Sequence, residues 1–254
     1  MEIKVENLNF KYNDNDVLSK INLKFNSGKI YGILGRNGSG KTTLIKLILG
    51  LLKQNSGNIY IGKENSTTIN FKKLSKLIAF VPQDYESQTD ISVIDIVLMG
   101  RNPYLNTFQN PSKEDYKICY RVMENLNLTH LSNYSFSKLS GGQRQMVLVA
   151  RAIAQETEFI VFDEPISNLD IKNQHDVLAF IKNMANRYGK GIIVSIHDPN
   201  LANRYCDNIV MLKDGQVFKN GLSKDVFSEN TLKELYDIDF NFIENDIISH
   251  YKIN

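Results

Sequence analysis

Gly35-Arg36-Asn37-Gly38-Ser39-Gly40-Lys41-Thr42-Thr43 decides how the rest of the chain is read. It fits the pattern G-x-x-x-x-G-K-[ST], a loop that wraps phosphate groups. Its flanks have the required character. Lys29 to Leu34 is a short apolar strand ahead of it, and Thr43 to Leu49 is an apolar helical run behind it, closed by Gly50. Glycines let the backbone turn tightly enough for successive N–H groups to converge on one anion. The helix start adds partial positive charge. In such a loop Gly35, Asn37, Gly38, Ser39, Gly40 and Thr43 build the cradle. Lys41 reaches the β- and γ-phosphates, and the Thr42 hydroxyl ligates Mg²⁺. A nucleoside triphosphate is the implied ligand.

The chain has 254 residues, 42% of them hydrophobic, enough for one large α/β domain or two closely joined ones. Its 30 basic and 28 acidic side chains nearly balance, so charge gives no reason to expect a nucleic-acid partner. Cys119 and Cys206 lack metal-type spacing and read as ordinary thiols of a reducing compartment. Met1-Glu2-Ile3-Lys4-Val5 alternates like a strand and is not a signal peptide. No run approaches the roughly 18 apolar residues of a membrane span, so any membrane role is expected to come through a partner.

Residues 2–10 and 17–25 alternate as strands around a turn at Asn13-Asp14-Asn15-Asp16. Tyr12, just before that turn, either packs on the sheet or stacks on a base. Residues 57–62 and 77–81 are further strands with a polar loop over 65–70. The second ends at Pro82, leaving Gln83 at a strand's C-terminal edge, where α/β ligand sites lie. Gln83 there could ligate Mg²⁺ or orient a water. The next part of the chain lacks strand patterning and reads as an inserted helical region, with Ser112 capping a helix to Leu126. Its surface is a natural docking face for a partner, and Arg101 is expected there. Ser140, Gly141, Gly142 and Gln143 open a further apolar helix whose start offers N–H groups and a hydroxyl to an anion. Phe159 to Phe162 is a buried strand delivering Asp163, a carboxylate suited to Mg²⁺, and Glu164, a candidate general base. Ser167-Asn168-Leu169-Asp170 is a capping loop ahead of a helix over 177–188. The strand 191–196 ends at His197, on the same sheet edge as Gln83 and Asp163, which suggests a γ-phosphate contact. A hairpin around Lys213-Asp214-Gly215 and short helices over 221–227 and 231–236 follow. Residues 238–254 read as a final strand or a loose tail.

In this order the stretches resemble the ATP-binding cassette (ABC) family of transport ATPases over nearly the whole chain. Gly35 to Thr42 matches its Walker A motif, Gln83 its Q-loop and Leu139 to Gln143 its signature. Asp163 and Glu164 match Walker B with the catalytic glutamate. Ser167 to Asp170 matches the D-loop and His197 the switch histidine. Tyr12 falls where the family has its adenine-stacking aromatic. Ile166 departs from the threonine of many members, outside the catalytic positions. The resemblance implies a P-loop NTPase fold with a RecA-like core, an antiparallel β subdomain and an inserted helical subdomain. The core would span 1–84 and 155–254, and the helical subdomain 85–154. It also implies ATP and Mg²⁺ as ligands, with Glu164, His197 and Gln83 catalytic and Thr42, Gln83 and Asp163 around the metal. Two copies would pair head to tail, so that Ser140 to Gln143 and Asp170 of one serve the nucleotide of the other.

Val93 to Arg101 with Pro103 and Tyr104, and Ser195 to Ala202, look like the ATPases of type II importers for iron–siderophore, haem and cobalamin. Molybdate and tungstate importers share much of this pattern, including Asn106-Thr107-Phe108. The expectation is an ATPase on the cytoplasmic face of the membrane, bound to a polytopic permease. A periplasmic or lipid-anchored binding protein would act on the other side. Iron chelate is the preferred cargo. A soluble ABC ATPase of the iron–sulfur assembly type is the main rival. An exporter cassette lacks its membrane spans here, and a P-loop kinase would leave the signature and Q-loop without a role.

Overall fold

The structure, a computed structural model, describes residues 1–83, 90–167 and 169–237. Asp84, Asn168 and the segment 238–254 therefore lie outside the described residues.

β1 (Glu2–Tyr12) and β2 (Asn15–Asn26) form an antiparallel hairpin. Ile3, Val5, Leu8 and Phe10 on one strand, and Leu18, Ile21, Leu23 and Phe25 on the other, are buried. Val5 and Leu8 are both buried despite their odd spacing, because the register shifts between them and Asn7 takes φ 46°. β3 (Ile30–Leu34), buried throughout, feeds the phosphate loop and α1 (Lys41–Ile48). β4 (Ser56–Ile61) and β5 (Glu64–Asn65) return to the first sheet, ordered β2-β1-β4-β5. The loop expected over 65–70 is partly regular, since Asn65 caps a 3-10 turn at Ser66–Thr68. α2 (Phe71–Leu74) leads to β6 (Ile78–Val81).

α3 (Val93–Leu98), α4 (Lys113–Asn125) and α5 (Gly141–Ala154) make the inserted helical part. Serines open all three: the side chains of Ser92, Ser112 and Ser140 each accept from an N–H of the first turn. An isolated bridge from Ser92 to Ser135 is the β pairing there among the described residues.

β7 (Phe159–Phe162), α6 (Ile171–Tyr188), β8 (Gly191–Ser195), α7 (Pro199–Tyr205), β9 (Asn208–Lys213) and β10 (Gln216–Leu222) complete the larger sheet. Its order is β10-β9-β3-β8-β7-β6, parallel except for the β9–β10 hairpin. β10 runs to Leu222, so the helix expected over 221–227 shrinks to α8 (Ser223–Val226); α9 (Glu229–Tyr236) follows. Period-two alternation divides this sheet between two cores. Ile30, Leu34, Ile160 and Phe162 pack with the helical part and α6, whereas Tyr31, Ile33, Phe159 and Val161 pack with α1 and the smaller sheet. Four parallel strands, β3, β6, β7 and β8, end at one edge. They deliver the phosphate loop, Gln83, Asp163 with Glu164, and His197, the placement that strand-end ligand sites require.

Candidate active site

The phosphate loop is shaped by what its glycines leave out. A Cβ on Gly35 would stand 2.4 Å from the Leu212 carbonyl and 2.5 Å from Ser39 Oγ. Gly40 has φ 100°, and a Cβ there would meet Leu18 of the first hairpin at 2.6 Å. Lys41 is buried, and its Nζ donates to the carbonyls of Gly35 (2.9 Å) and Arg36 (3.2 Å). Burial lowers the pKa of this ammonium, opposed by the nearby carboxylates of Glu164 and Asp163. Two of its three donors are occupied. Ser39 Oγ is buried and has no hydrogen-bond partner among the described residues. Donors with capacity left, in a loop whose exposed tip is Asn37 and Gly38, fit an anionic ligand.

The strand ends converge on the first turn of α1. Thr42 Oγ1 donates to Asp163 Oδ1 at 3.3 Å, joining two of the three expected Mg²⁺ ligands. The same oxygen accepts from Ser195 Oγ at 2.8 Å, and Ser195 Oγ accepts from the Glu164 N–H at 2.7 Å. His197 Nε2 lies 2.5 Å from Glu164 Oε1. Ser167 Oγ donates to the Glu164 carbonyl at 3.2 Å, and Gln83 Nε2 reaches Ser167 Oγ at 3.4 Å. Glu164 has φ 46°, rare for a residue with a side chain, so its backbone is strained where its carboxylate is held. Among the described residues no three His, Cys, Asp or Glu side chains could hold a metal ion together. A hydroxyl and one carboxylate are instead what Mg²⁺ takes from a protein when substrate phosphates and water fill its other positions.

Tyr12 is 43% exposed and meets Phe10 edge to face at 4.8 Å. It ends the hairpin whose Leu18 abuts Gly40, so an open aromatic stands on the element beside the loop. The signature residues stand apart. Ser140 and Gln143 form a capping box: Ser140 Oγ accepts from the Gln143 N–H at 3.3 Å, and Gln143 Oε1 accepts from the Ser140 N–H at 3.0 Å. Ser140, Gly141 and Gln143 are exposed and Gly142 half-buried. Asp170 caps α6, accepting from the Asn173 N–H (2.9 Å) and side-chain amide (2.7 Å). Among the described residues, no hydrogen bond or ion pair joins either group to the phosphate loop.

Arg101 corrects an expectation. It is not a docking residue on the surface: 6% exposed, it donates to Asp115 (2.9 Å), Glu156 (2.7 Å) and the Ala154 carbonyl (2.7 Å). Its guanidinium also covers the Tyr104 ring at 4.1 Å. It is a knot tying the turn after α3 to α4 and the end of α5. Sequence reasoning also missed Ser195 as a site residue. The signal was a single hydroxyl in the otherwise apolar strand Gly191–Ser195. α9 reaches the site as well. Asp237, just beyond it, binds Arg36 and Lys213, each at 2.6 Å, and Tyr236 Oη donates to the His197 carbonyl at 3.2 Å. Both cysteines are buried, and desolvation pushes their thiols up to about 12, so they are inert packing residues.

A strand-end carboxylate pair facing a glycine loop, with a separate serine–glycine helix start, is the layout of a P-loop nucleotide-binding cassette. The ABC transporter family profile matches residues 18–167, and the chain belongs to that family. An iron chelatin transport ATP-binding protein of Helicobacter pylori is 38% identical over 97% of each chain. The molybdate import ATP-binding protein MolC of Haemophilus influenzae is 37% identical over 93% of this chain and 88% of its own. The petrobactin import ATP-binding protein YclP of Bacillus subtilis is 32% identical over 98% and 99%. Among solved structures, an inward-facing metal-chelate type ABC transporter aligns with a TM-score of 0.84 at 36% identity, covering 93% of this chain and 88% of that one. A dimeric ATP-binding cassette in a post-hydrolysis state with ADP and Pi aligns with a TM-score of 0.75 at 27% identity, covering 87% and 98%.

Proposed function

We propose that this chain is the ATP-hydrolysing subunit of an importer that takes up an iron chelate, a siderophore or haem, through a membrane permease. The contact chain Thr42–Asp163–Ser195–Glu164–His197 carries the hydrolytic reading. In it, Lys41 and the loop amides bind the ATP phosphates, and Tyr12 stacks on the base. Thr42, Asp163 and Gln83 hold Mg²⁺, which when bound neutralises charge on the β- and γ-phosphates. Glu164 takes the proton of the attacking water. His197 steadies one of its oxygens, leaving the other for that water.

The catalytic core would be 1–84 with 155–254, and the helical subdomain 85–154. Ser140 to Gln143 and Asp170, exposed but for the half-buried Gly142 and without a hydrogen bond or ion pair to their own phosphate loop among the described residues, suit a head-to-tail pair in which they complete the site of a second copy. A groove of about 400 Å³ between Leu51, Phe71, Phe80, Met99 and Gln155 suits the permease. Phe71 is 63% and Leu51 49% exposed there, apolar surface that a partner would cover. No helix among the described residues is long and apolar enough to cross a membrane, which fits a peripheral subunit on the cytoplasmic face. A binding protein outside would deliver the cargo.

Likeness to the iron chelatin and petrobactin subunits supports iron chelate. Molybdate is the second reading, favoured by 37% identity to the molybdate subunit. Uptake of labelled ferric siderophore, haem and molybdate by cells lacking this chain separates the two. Loss of iron-chelate uptake alone is expected, and loss of molybdate uptake alone would overturn the cargo.

A further inference from the structure

Ser195 is fully buried at the end of β8. A serine hydroxyl has one proton and two lone pairs. The Glu164 N–H can only donate, so Ser195 Oγ accepts there, at 2.7 Å. Its own proton then goes to Asp163 Oδ1, at 2.8 Å. One hydroxyl thus bridges consecutive residues: the carboxylate expected to hold the metal and the backbone of the expected base. The strained φ of 46° at Glu164 makes that bridge matter, because an unheld residue would relax towards an ordinary conformation and carry its carboxylate away. His197, two residues beyond Ser195, grips the other end of Glu164 through Oε1. The end of β8 therefore holds Glu164 at both its N–H and its carboxylate.

We propose that Ser195 is a positioning residue for hydrolysis, whose hydroxyl fixes the Asp163 carboxylate relative to the Glu164 base. The assignment rests on the ATP-hydrolysis reading above. It predicts a selective defect. Losing the hydroxyl should slow the step that needs both carboxylates and weaken the use of Mg²⁺ by Asp163. Nucleotide binding through Lys41 and the loop amides should survive.

The test uses the full chain as Ser195→Ala, Ser195→Cys and Ser195→Thr. It reads kcat, KM for ATP, the Mg²⁺ concentration for half-maximal rate, calorimetric ATP binding with and without Mg²⁺, and the unfolding midpoint. Ser195→Ala should lower kcat about 10- to 100-fold, the scale of a lost hydrogen bond to a charged group. It should raise the Mg²⁺ requirement and weaken Mg²⁺-dependent ATP binding, leaving metal-free ATP binding unchanged. Ser195→Thr should restore most of kcat, and Ser195→Cys, a weak donor of similar size, should fall between. Wild-type kcat and Mg²⁺ dependence in Ser195→Ala would overturn the proposal. So would a lowered unfolding midpoint with no change in the Mg²⁺ readouts, or a Ser195→Thr variant as slow as Ser195→Ala. Glu164→Gln is the control for the underlying reading. If it hydrolyses ATP normally, that reading fails; if it is inactive while Ser195→Ala behaves as wild type, only the Ser195 assignment fails.

Discussion

The two helix starts that the sequence marks for anions differ in how complete they are. At the start of α1, Ser39, Lys41 and Asp163 are buried, Asp163 meets Thr42, and Gln83, Ser167, Glu164 and His197 are linked behind it. At the start of α5, Ser140, Gly141 and Gln143 are exposed, and the polar groups of Ser140 and Gln143 are satisfied by each other. Both starts carry the same backbone dipole. Only the first has carboxylates and a histidine of its own chain gathered beside it. The second is rigid and finished as a helix cap but has nothing of its own to act on. That is the form expected of half a site that is completed by another molecule.

Removing the proposed base, Glu164, should strike the buried half hardest. Glu164→Gln should reduce ATP turnover by about 10²–10⁴-fold, the usual range for a general base, while ATP still binds. Turnover assayed beside equilibrium nucleotide binding checks this, and near-normal turnover would remove Glu164 from its role.

Mixing variants tests the exposed half. Lys41→Ala damages the phosphate loop and Ser140→Arg blocks the signature, so each alone should be inactive. If Ser140 serves a second copy's nucleotide, a mixed pair holds one site with an intact loop from one chain and an intact signature from the other. Random pairing should then restore up to about a quarter of wild-type turnover. If Ser140 served its own chain, no mixture would recover, and the assignment of the two halves to different molecules would fail.

The buried half was the more legible in the sequence. Four- to five-residue apolar runs such as Phe159 to Phe162, bounded by polar residues, read as buried strands by their length and flanks, and each delivers the residues just after it to the same edge. The loop motif, Gln83, Asp163, Glu164 and His197 could therefore be placed together before any coordinates. Contacts that depend on tertiary packing were not legible. Arg101 meets Asp115 and Glu156 across long sequence separations, and nothing local distinguishes a buried arginine from a surface one. Ser195 was hidden because a polar residue at a strand end usually faces water. α7 was missed although its signals were present, with Asp198 as N-cap and Pro199 at the first position. Its seven residues were too short to show a period.

Arg101 ties the turn after α3 to α4 and to the end of α5, the helix whose start is the exposed half, so its loss should appear in stability. Arg101→Ala leaves Asp115 buried without its cation and should cost about 3–5 kcal/mol in chemical denaturation. Ser112 and Arg101 hold the Asp115 carboxyl below its ordinary pKa. Stability from this source is present above about pH 4 and is lost as pH falls through the lowered folded value. Because Arg101→Ala removes part of that depression, the variant should lose less further stability than wild type on acidification below about pH 4. An unchanged denaturation midpoint would mean that the knot does not anchor the helical part.

Tyr12 should carry the smallest effect, because its proposed contact is with the base and not with the phosphates. Its ring is open on the side not covered by Phe10, and stacking of this kind contributes about 0.5–1.5 kcal/mol. Tyr12→Ala should therefore weaken ATP binding only several-fold and leave kcat at saturation unchanged. Tyr12→Phe keeps the ring and should bind as wild type. Inorganic triphosphate, which has no base, should bind wild type and Tyr12→Ala alike. If triphosphate binding falls with the substitution, Tyr12 supports the phosphate loop through Phe10 and the first hairpin, and the buried half extends further along that hairpin than the contacts at Gly40.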